Sequence, residues 1–318
     1  MTNPDTAAGV TLVPGRELLP DVLPTDRLNA RAKPTRQLRD ELRRISDVRS
    51  AVTVVGCLLQ TFGVVVAAAW IHTWWSYLVA FVLMGRGHVC LNILGHEAAH
   101  RLLFTNRVLN DGVGRWLLSY PTFSPMLAYR RAHFAHHRAE MGPDEPDASL
   151  YAGYPISKDS WHRKLRRDAT GASAVKIFKG LWRSVRRGQP EARYIIAVHA
   201  VMLAGSIAVM RPLAYVVWFV AWSTSWRVLN RLRAIAEHGG MIRSRDRRET
   251  THVIRQTPWA RFWMVPYHTG WHLAHHVDMG VPWRNLPRLH TELVRSGWVV
   301  DALEYPSYRA FWRACSSG

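Results

Sequence analysis

From Ala51 to Gly85 the chain carries no Asp, Glu, Lys or Arg. A bilayer core takes roughly 20 apolar residues per helix, so this run is too long for one crossing. It reads as two helices joined by a tight turn near Ile71-His72-Thr73, the second continuing past Arg86 to about Leu94. Trp70, Trp74 and Trp75 flank that turn, as expected of an aromatic belt at a membrane interface. A second charge-poor run, Tyr194 to Trp226, is interrupted only by Met210-Arg211-Pro212. It too reads as two helices and a turn, with Trp218, Trp222 and Trp226 down one face of the last. The expected fold is an all-α integral membrane protein with four transmembrane helices in two hairpins, at about 51–70, 74–94, 194–210 and 213–229. Residues 51–318 are expected to form one domain, preceded by an N-terminal arm over residues 1–50.

The charges then sort themselves. Lys and Arg number 42 against 23 Asp and Glu, a net charge of +19. Such an excess suits nucleic acid, an anionic membrane surface or acidic substrates. All the Lys and Arg except Arg86 and Arg211 lie in residues 1–50, 101–193 or 227–318, which share one side of the membrane if there are four spans. By the positive-inside rule that side is the cytoplasm, together with both termini. Contact with anionic headgroups then accounts for the charge without nucleic acid. Within the arm, residues 1–34 lack periodicity and read as loose. Leu38, Leu42 and Ile45 fall at i, i+4 and i+7 among arginines, the pattern of a basic amphipathic helix lying on a membrane surface. The run Trp161 to Arg187, with Lys164, Arg166, Arg167, Lys176 and Lys179, reads as interfacial helix. Its charge would also suit an acidic redox partner. No apolar core of signal-peptide length lies in the first fifty residues, and Cys57, Cys90 and Cys315 form no CxxC pair.

Three histidine runs fall on the same expected side: His96-Glu97-Ala98-Ala99-His100, His133-Phe134-Ala135-His136-His137 and His272-Leu273-Ala274-His275-His276. Residues i and i+4 of a helix stack on one face, so His96 and His100 can point into one cavity. In His-x-x-His-His the first residue pairs with both i+3 and i+4, and the adjacent pair diverges by roughly 100°. One short helix can thus serve two metals. With His238, which follows the fourth expected span, the set is nine imidazoles: His96, His100, His133, His136, His137, His238, His272, His275 and His276. Nine is too many for one tetrahedral zinc and suits two metals of higher coordination number, which imidazole alone does not name. The expected spans therefore carry a cytoplasmic helical cap with a histidine-rich dimetal site. Asn92, Glu97 and His268 stand one turn from, or beside, ligand positions and are candidates for orienting them. Asp144, Asp147 and Asp278 adjoin the runs but suit surface solvation or capping better, and His88 reads as a hydrogen-bonded interior residue.

The three runs in this order and layout resemble the membrane fatty acid desaturase superfamily. The stretch Pro266-Tyr267-His268 through His276, then Gly280-Val281-Pro282-Trp283-Arg284-Asn285-Leu286-Pro287, is similar to the family's third box and its trailing segment. Gly142-Pro143-Asp144-Glu145-Pro146-Asp147 resembles the acidic segment of sphingolipid-type members, and Ala236-Glu237-His238 looks like the extra histidine after the last span. The resemblance covers roughly residues 50 to 295. It implies a histidine-ligated pair of irons, with dioxygen as co-substrate. One departure is Ala234, where some acyl-CoA desaturases carry an Asn four residues before the extra histidine.

The resemblance implies an oxygen-dependent desaturase that introduces a C=C bond into a fatty acyl chain. A lipid hydroxylase on the same diiron scaffold needs the same ligands and is the alternative. A non-enzymatic membrane metal carrier would line a path across the membrane with ionisable residues, whereas the runs gather at one face. The chain has no His-Pro-Gly-Gly haem motif and no cysteine cluster. An external electron donor is therefore expected: a ferredoxin, a cytochrome or a reductase.

Overall fold

The computed structural model describes residues 11–318, so the first ten residues of the expected loose arm lie outside the described residues. The chain divides into two compact units. One comprises residues 45–131 and 164–230; the other comprises the N-terminal segment to Arg44, residues 132–163 and residues 231–318.

The first unit is built on long apolar helices. Asp47–Ile71 and Trp74–His100 are joined through His72, which takes the left-handed conformation, and Thr73. Thr73 and Ser76 form a reciprocal capping box, and the Ser76 hydroxyl also donates to the carbonyl of Ala68, closing the turn. That turn falls where the sequence put it. Val54, Cys57, Thr61, Val65 and Ala68 are buried at steps of three or four along the first helix, while Val52, Val55, Leu59 and Val66 are exposed. Gly87 allows close packing on this face, since a Cβ there would lie 2.9 Å from Cγ2 of Thr61. Among the described residues, three helices are long and apolar enough to cross a membrane: Asp47–Ile71, Trp74–His100 and Pro190–Ala208.

The fourth expected span differs. Residues 213–229 are not one continuous helix: Pro212–Ser223 stops at Thr224, and Ser225–His238 begins anew. Twelve residues rise only about 18 Å, short of a bilayer core. The hydroxyls of Thr224 and Ser225 donate back to the carbonyls of Val220 and Ala221, the local competition that bends helices at such residues. Trp218 and Trp222 are buried. The Trp218 indole donates to the carbonyl of Pro121, and its ring stacks on Phe62 at 4.7 Å. His88 is the interior residue expected of it, with Nε2 3.0 Å from the carbonyl of Trp218.

In the second unit the core gathers Leu28, Leu38, Leu42, Leu273, Val277, Leu286 and Leu293. The amphipathic segment expected on a membrane surface forms the helix Arg36–Leu42, but its leucines are spent in this core. Intramolecular burial removes the apolar face that a lipid surface would need. Arg43 pairs with both oxygens of Asp278, and Asn285 donates to the carbonyl of Leu42, fixing the helix to the chain around the third histidine run. A two-residue parallel pairing, Val253 with Glu304 and Ile254 with Tyr305, is added to the otherwise helical architecture.

Replacing Gly87 with Val forces its Cβ against Cγ2 of Thr61 and is expected to cost about 1–3 kcal/mol by overpacking. Gly56 faces open space inside the helix Asp47–Ile71, so Gly56→Ala is expected to stabilise by up to about 1 kcal/mol. Thermal unfolding of both variants in detergent checks the pair.

Candidate metal centre

Seven of the nine expected ligands lie in the second unit. His133, His136 and His137 sit in the last turns of Met126–Ala139, His238 ends Ser225–His238, and His272, His275 and His276 ride on the short helix His272–Val277. The third run is set up by an unusual approach: Tyr267 and His268 are both left-handed, with φ of 55° and 61°. Such residues cost of order 1–3 kcal/mol each and need support from their surroundings. Rings of both pack near Trp283, and His268 also packs near Trp271. His268 therefore shapes the turn before the ligand helix.

Within this unit the ring nitrogens converge on two foci. At the first, Nε2 of His137 lies 3.1 Å from Nε2 of His133 and 3.0 Å from that of His275. At the second, Nε2 of His272 lies 3.0 Å from that of His276 and 3.1 Å from that of His238, with Nε2 of His136 3.4 Å from His276. The i, i+4 pair of each run serves one focus while its middle histidine crosses to the other, as the roughly 100° divergence requires. Ligand atoms about 2.1 Å from a shared cation stand about 3.0 Å apart at right angles and about 3.4 Å apart at a tetrahedral angle. The observed spacings match those edges. His276 also groups with His137 and His275, so the foci are neighbours.

Protonation strengthens the case for a cation. His136 Nδ1 donates to Glu145 at 2.8 Å, and the Tyr151 hydroxyl lies 3.3 Å from the same nitrogen. His238 Nδ1 donates to the carbonyl of Thr250 at 2.8 Å, and Glu140 meets Nδ1 of His276. Glu237 stands 3.6 Å from Nδ1 of His272 and is itself paired with Arg233. A neutral ring with its proton on Nδ1 presents a bare lone pair at Nε2. Burial, then neighbouring charged groups, push His238 and His272 well below the usual imidazole range, which disfavours the charged form. Bare lone pairs about 3 Å apart repel unless a cation lies among them. The residues present fit metal ions bound through Nε2, with anchors at the far nitrogen of the kind that orient metal-bound histidine.

These anchors were only partly legible in the sequence. Glu145 lies in the acidic segment already noted, and Glu237 directly precedes His238. Glu140 and Thr250 carried no spacing signal. Burial would raise the Glu145 carboxyl, but the hydrogen bond from His136 leads the opposing causes, which bring it below the usual range. Burial and the adjacent Glu145 charge push the Tyr151 phenol up, so it stays protonated as a donor. Asp144 is exposed, as surface solvation predicts; Asp278 is buried and instead holds Arg43. His252, which had no metal spacing, is buried and donates to the carbonyl of Gly239, steadying the chain beyond His238.

The remaining expected ligands, His96 and His100, belong to the first unit. They share the last turn of Trp74–His100 with ring centroids 4.6 Å apart. Glu97 is buried beside them, 3.6 Å from Nδ1 of His96. Asn92 donates to the carbonyl of His88 one turn back, a bond inside the helix.

With this geometry in hand, the comparisons are decisive for the family. The model of the family described as fatty acid desaturase matches residues 72–311, including all three histidine runs and His238. The chain belongs to the fatty acid desaturase family. It is similar to the dihydrorhizobitoxine desaturase of Bradyrhizobium elkanii, at 26% identity over 72% of this chain and 68% of that protein. It is also similar to the sn-1 acyl-lipid omega-3 desaturase (ferredoxin) of Nostoc sp. (strain 36), at 20% identity over 79% of this chain and 76% of that one. A shorter match, 28% identical over 36% of this chain and 22% of the relative, joins it to the chloroplastic omega-3 fatty acid desaturase of Glycine max. Family and apolar helices together make this chain a membrane oxidoreductase, with a desaturase- or oxygenase-type reaction.

Two outcomes follow for the centre. Glu145→Ala removes the acceptor from His136 Nδ1 and is expected to weaken divalent-metal affinity roughly ten- to hundredfold. Metal retention measured by elemental analysis after graded chelation checks this, and Glu145→Gln is expected to fall between. His252 titrates at about 4 in the folded chain because burial lowers it from 6.5. Between those values the unfolded chain binds the proton and the folded chain does not, so stability falls as pH drops. The loss is about 3 kcal/mol across the window at roughly 1.4 kcal/mol per pH unit. His252→Gln is expected to flatten the fall in denaturation midpoint between pH 6.5 and pH 4 in metal-free protein.

Proposed function

We propose that this protein is an oxygen-dependent diiron desaturase that introduces a C=C bond into a membrane-borne acyl lipid. The observation that carries this is the pair of foci where imidazole Nε2 atoms converge to about 3 Å, with Nδ1 of His136 and His238 hydrogen-bonded at the second. The full ligand set is proposed as His96, His100, His133, His136, His137, His238, His272, His275 and His276. Reduced irons bound there supply the oxidising power needed to take hydrogen from an unactivated C–H bond when dioxygen is present. The balance is one –CH2–CH2– unit, one O2, two electrons and two protons giving one –CH=CH– unit and two waters. Glu145 and the carbonyl of Thr250 hold His136 and His238 in one tautomer and orientation, and Glu140 and Glu237 lie beside Nδ1 of His276 and His272. Tyr151 and the buried walls limit water around His136. No residue of the chain need act as a separate acid or base.

We further propose that the helices cross the membrane four times in two hairpins, the short Pro212–Ser223 helix completing the second. The metal centre and both termini then lie on the cytoplasmic side, where Lys and Arg concentrate. A helix break at membrane depth is tolerable where the surrounding protein buries it, as it buries Trp218, Trp222 and Ser223. An acyl-lipid substrate and a ferredoxin-type donor are supported by the names of two similar proteins, although another relative's name gives a different substrate, dihydrorhizobitoxine.

Expression in a lipid-producing host, with mass spectrometry of the acyl products, tests the proposal. The expected result is a product lighter by two hydrogens, absent with His136→Ala, and about two irons per chain in the purified protein. A product heavier by one oxygen assigns hydroxylation instead. Zinc or copper with no oxygen consumption in the presence of an active donor overturns the diiron reading.

A further inference from the structure

The proposed desaturase reaction requires electrons from outside, and one surface of the second unit carries an open basic basin. A cavity of about 1020 Å3 opens between the loop of Arg31 and Lys33, the end of the His133–His137 helix at Arg138 and Glu140, and the segment Arg243–Arg247. Six cations line it against two acids, Glu140 and Asp246. Arg31, Lys33, Arg138, Arg243 and Arg245 are exposed, and none has an ion-pair partner among the described residues. The sixth cation, Arg247, is paired with Glu140 at the floor. Glu140 in turn meets Nδ1 of His276, whose Nε2 faces the second focus. Arg247, Glu140 and His276 are thus one continuous line of contacts from a basic basin to a ligand imidazole.

We infer that this basin is the docking site of an acidic one-electron donor protein. This inference rests on the proposed desaturase function. Unpaired exposed cations gain nothing in the isolated chain, but they steer and orient a partner of opposite charge. They come from three separate segments and surround an open basin, a spread that suits a protein face better than one small anion. The basic helix Ala172–Arg186, the other candidate from charge alone, has exposed apolar residues among its cations, including Val175 and Trp182. That mixture suits a membrane surface. Each encounter passes one electron from the donor, which is oxidised by one electron, to the metal site. Two encounters supply the pair consumed per C=C bond, and solvent supplies the protons.

The test uses the full chain in lipid nanodiscs and an acidic [2Fe–2S] ferredoxin as probe. Binding is measured at low and high salt for three proteins: wild type, the triple variant Lys33→Glu, Arg243→Glu, Arg245→Glu, and a control with Lys176→Gln, Lys179→Gln, Arg183→Gln. Wild-type binding is expected to weaken with salt, as exposed charge pairs are screened. The basin variant is expected to raise Kd by about tenfold or more and lose most of that salt dependence, while the control binds as wild type. Turnover driven by dithionite and methyl viologen, which bypass docking, is expected to be unchanged in the basin variant.

No ferredoxin binding by the wild type at low salt overturns the inference, as does unaltered binding by the basin variant. Displacement of ferredoxin by an acyl-CoA assigns the basin to an anionic substrate carrier and overturns it too. Basin-dependent binding with no product from either electron source leaves docking standing and overturns the desaturase reading.

Discussion

The lone pair of an imidazole Nε2 is the constraint on which the rest depends. When the ring is neutral and its proton is held at Nδ1, that lone pair must face a donor or a cation. In this protein several of them face each other at about 3 Å, inside a buried site where the charged form is disfavoured. A set of side chains arranged in this way is strained as a purely protein structure and relieved by metal. The anchors at Nδ1 are therefore as much a part of the site as the ligands. Without Glu145 or the Thr250 carbonyl, the tautomer is unspecified and the ring can turn away.

Holding those anchors in place accounts for much of the architecture of their unit. The His272–Val277 helix is only six residues long and cannot be stable alone. It is held by Leu273, Ala274 and Val277 in the same core that takes the leucines of Arg36–Leu42, and by the pairing of Asp278 with Arg43. The left-handed turn before it is braced by tryptophan, and the chain beyond His238 by His252. An N-terminal helix that looked like a lipid-surface anchor is instead a support for the third histidine run.

The histidine runs and the long apolar helices were legible because each is a local, periodic signal. His133, His136 and His137 stand at fixed angles on any helix, so the division between two foci follows from 3.6 residues per turn. The turn at His72 and the helix ends that flank it follow equally from local chemistry, whereas the first helix starts earlier, at Asp47, and the second runs past the expected Leu94 to His100. The anchors were not legible in the same way. Glu140 reaches His276 across 136 residues of sequence, and Thr250 serves His238 through a backbone carbonyl that any residue could offer. His268 and Asn92 stood at helical spacing from ligands, yet one packs on tryptophan and the other bonds its own helix.

By itself the sequence determined the family, the membrane helices and the imidazoles available to a metal, because hydrophobic run length and helical spacing are properties of neighbouring residues. Only the tertiary structure decided which far nitrogen is anchored by which acid, that the fourth apolar segment breaks at Thr224, and that Leu38 and Leu42 face protein. It also brought five exposed cations from three segments around the acid that touches His276. Those outcomes depend on contacts between residues far apart in the chain, where spacing carries no information and only packing chooses the partner.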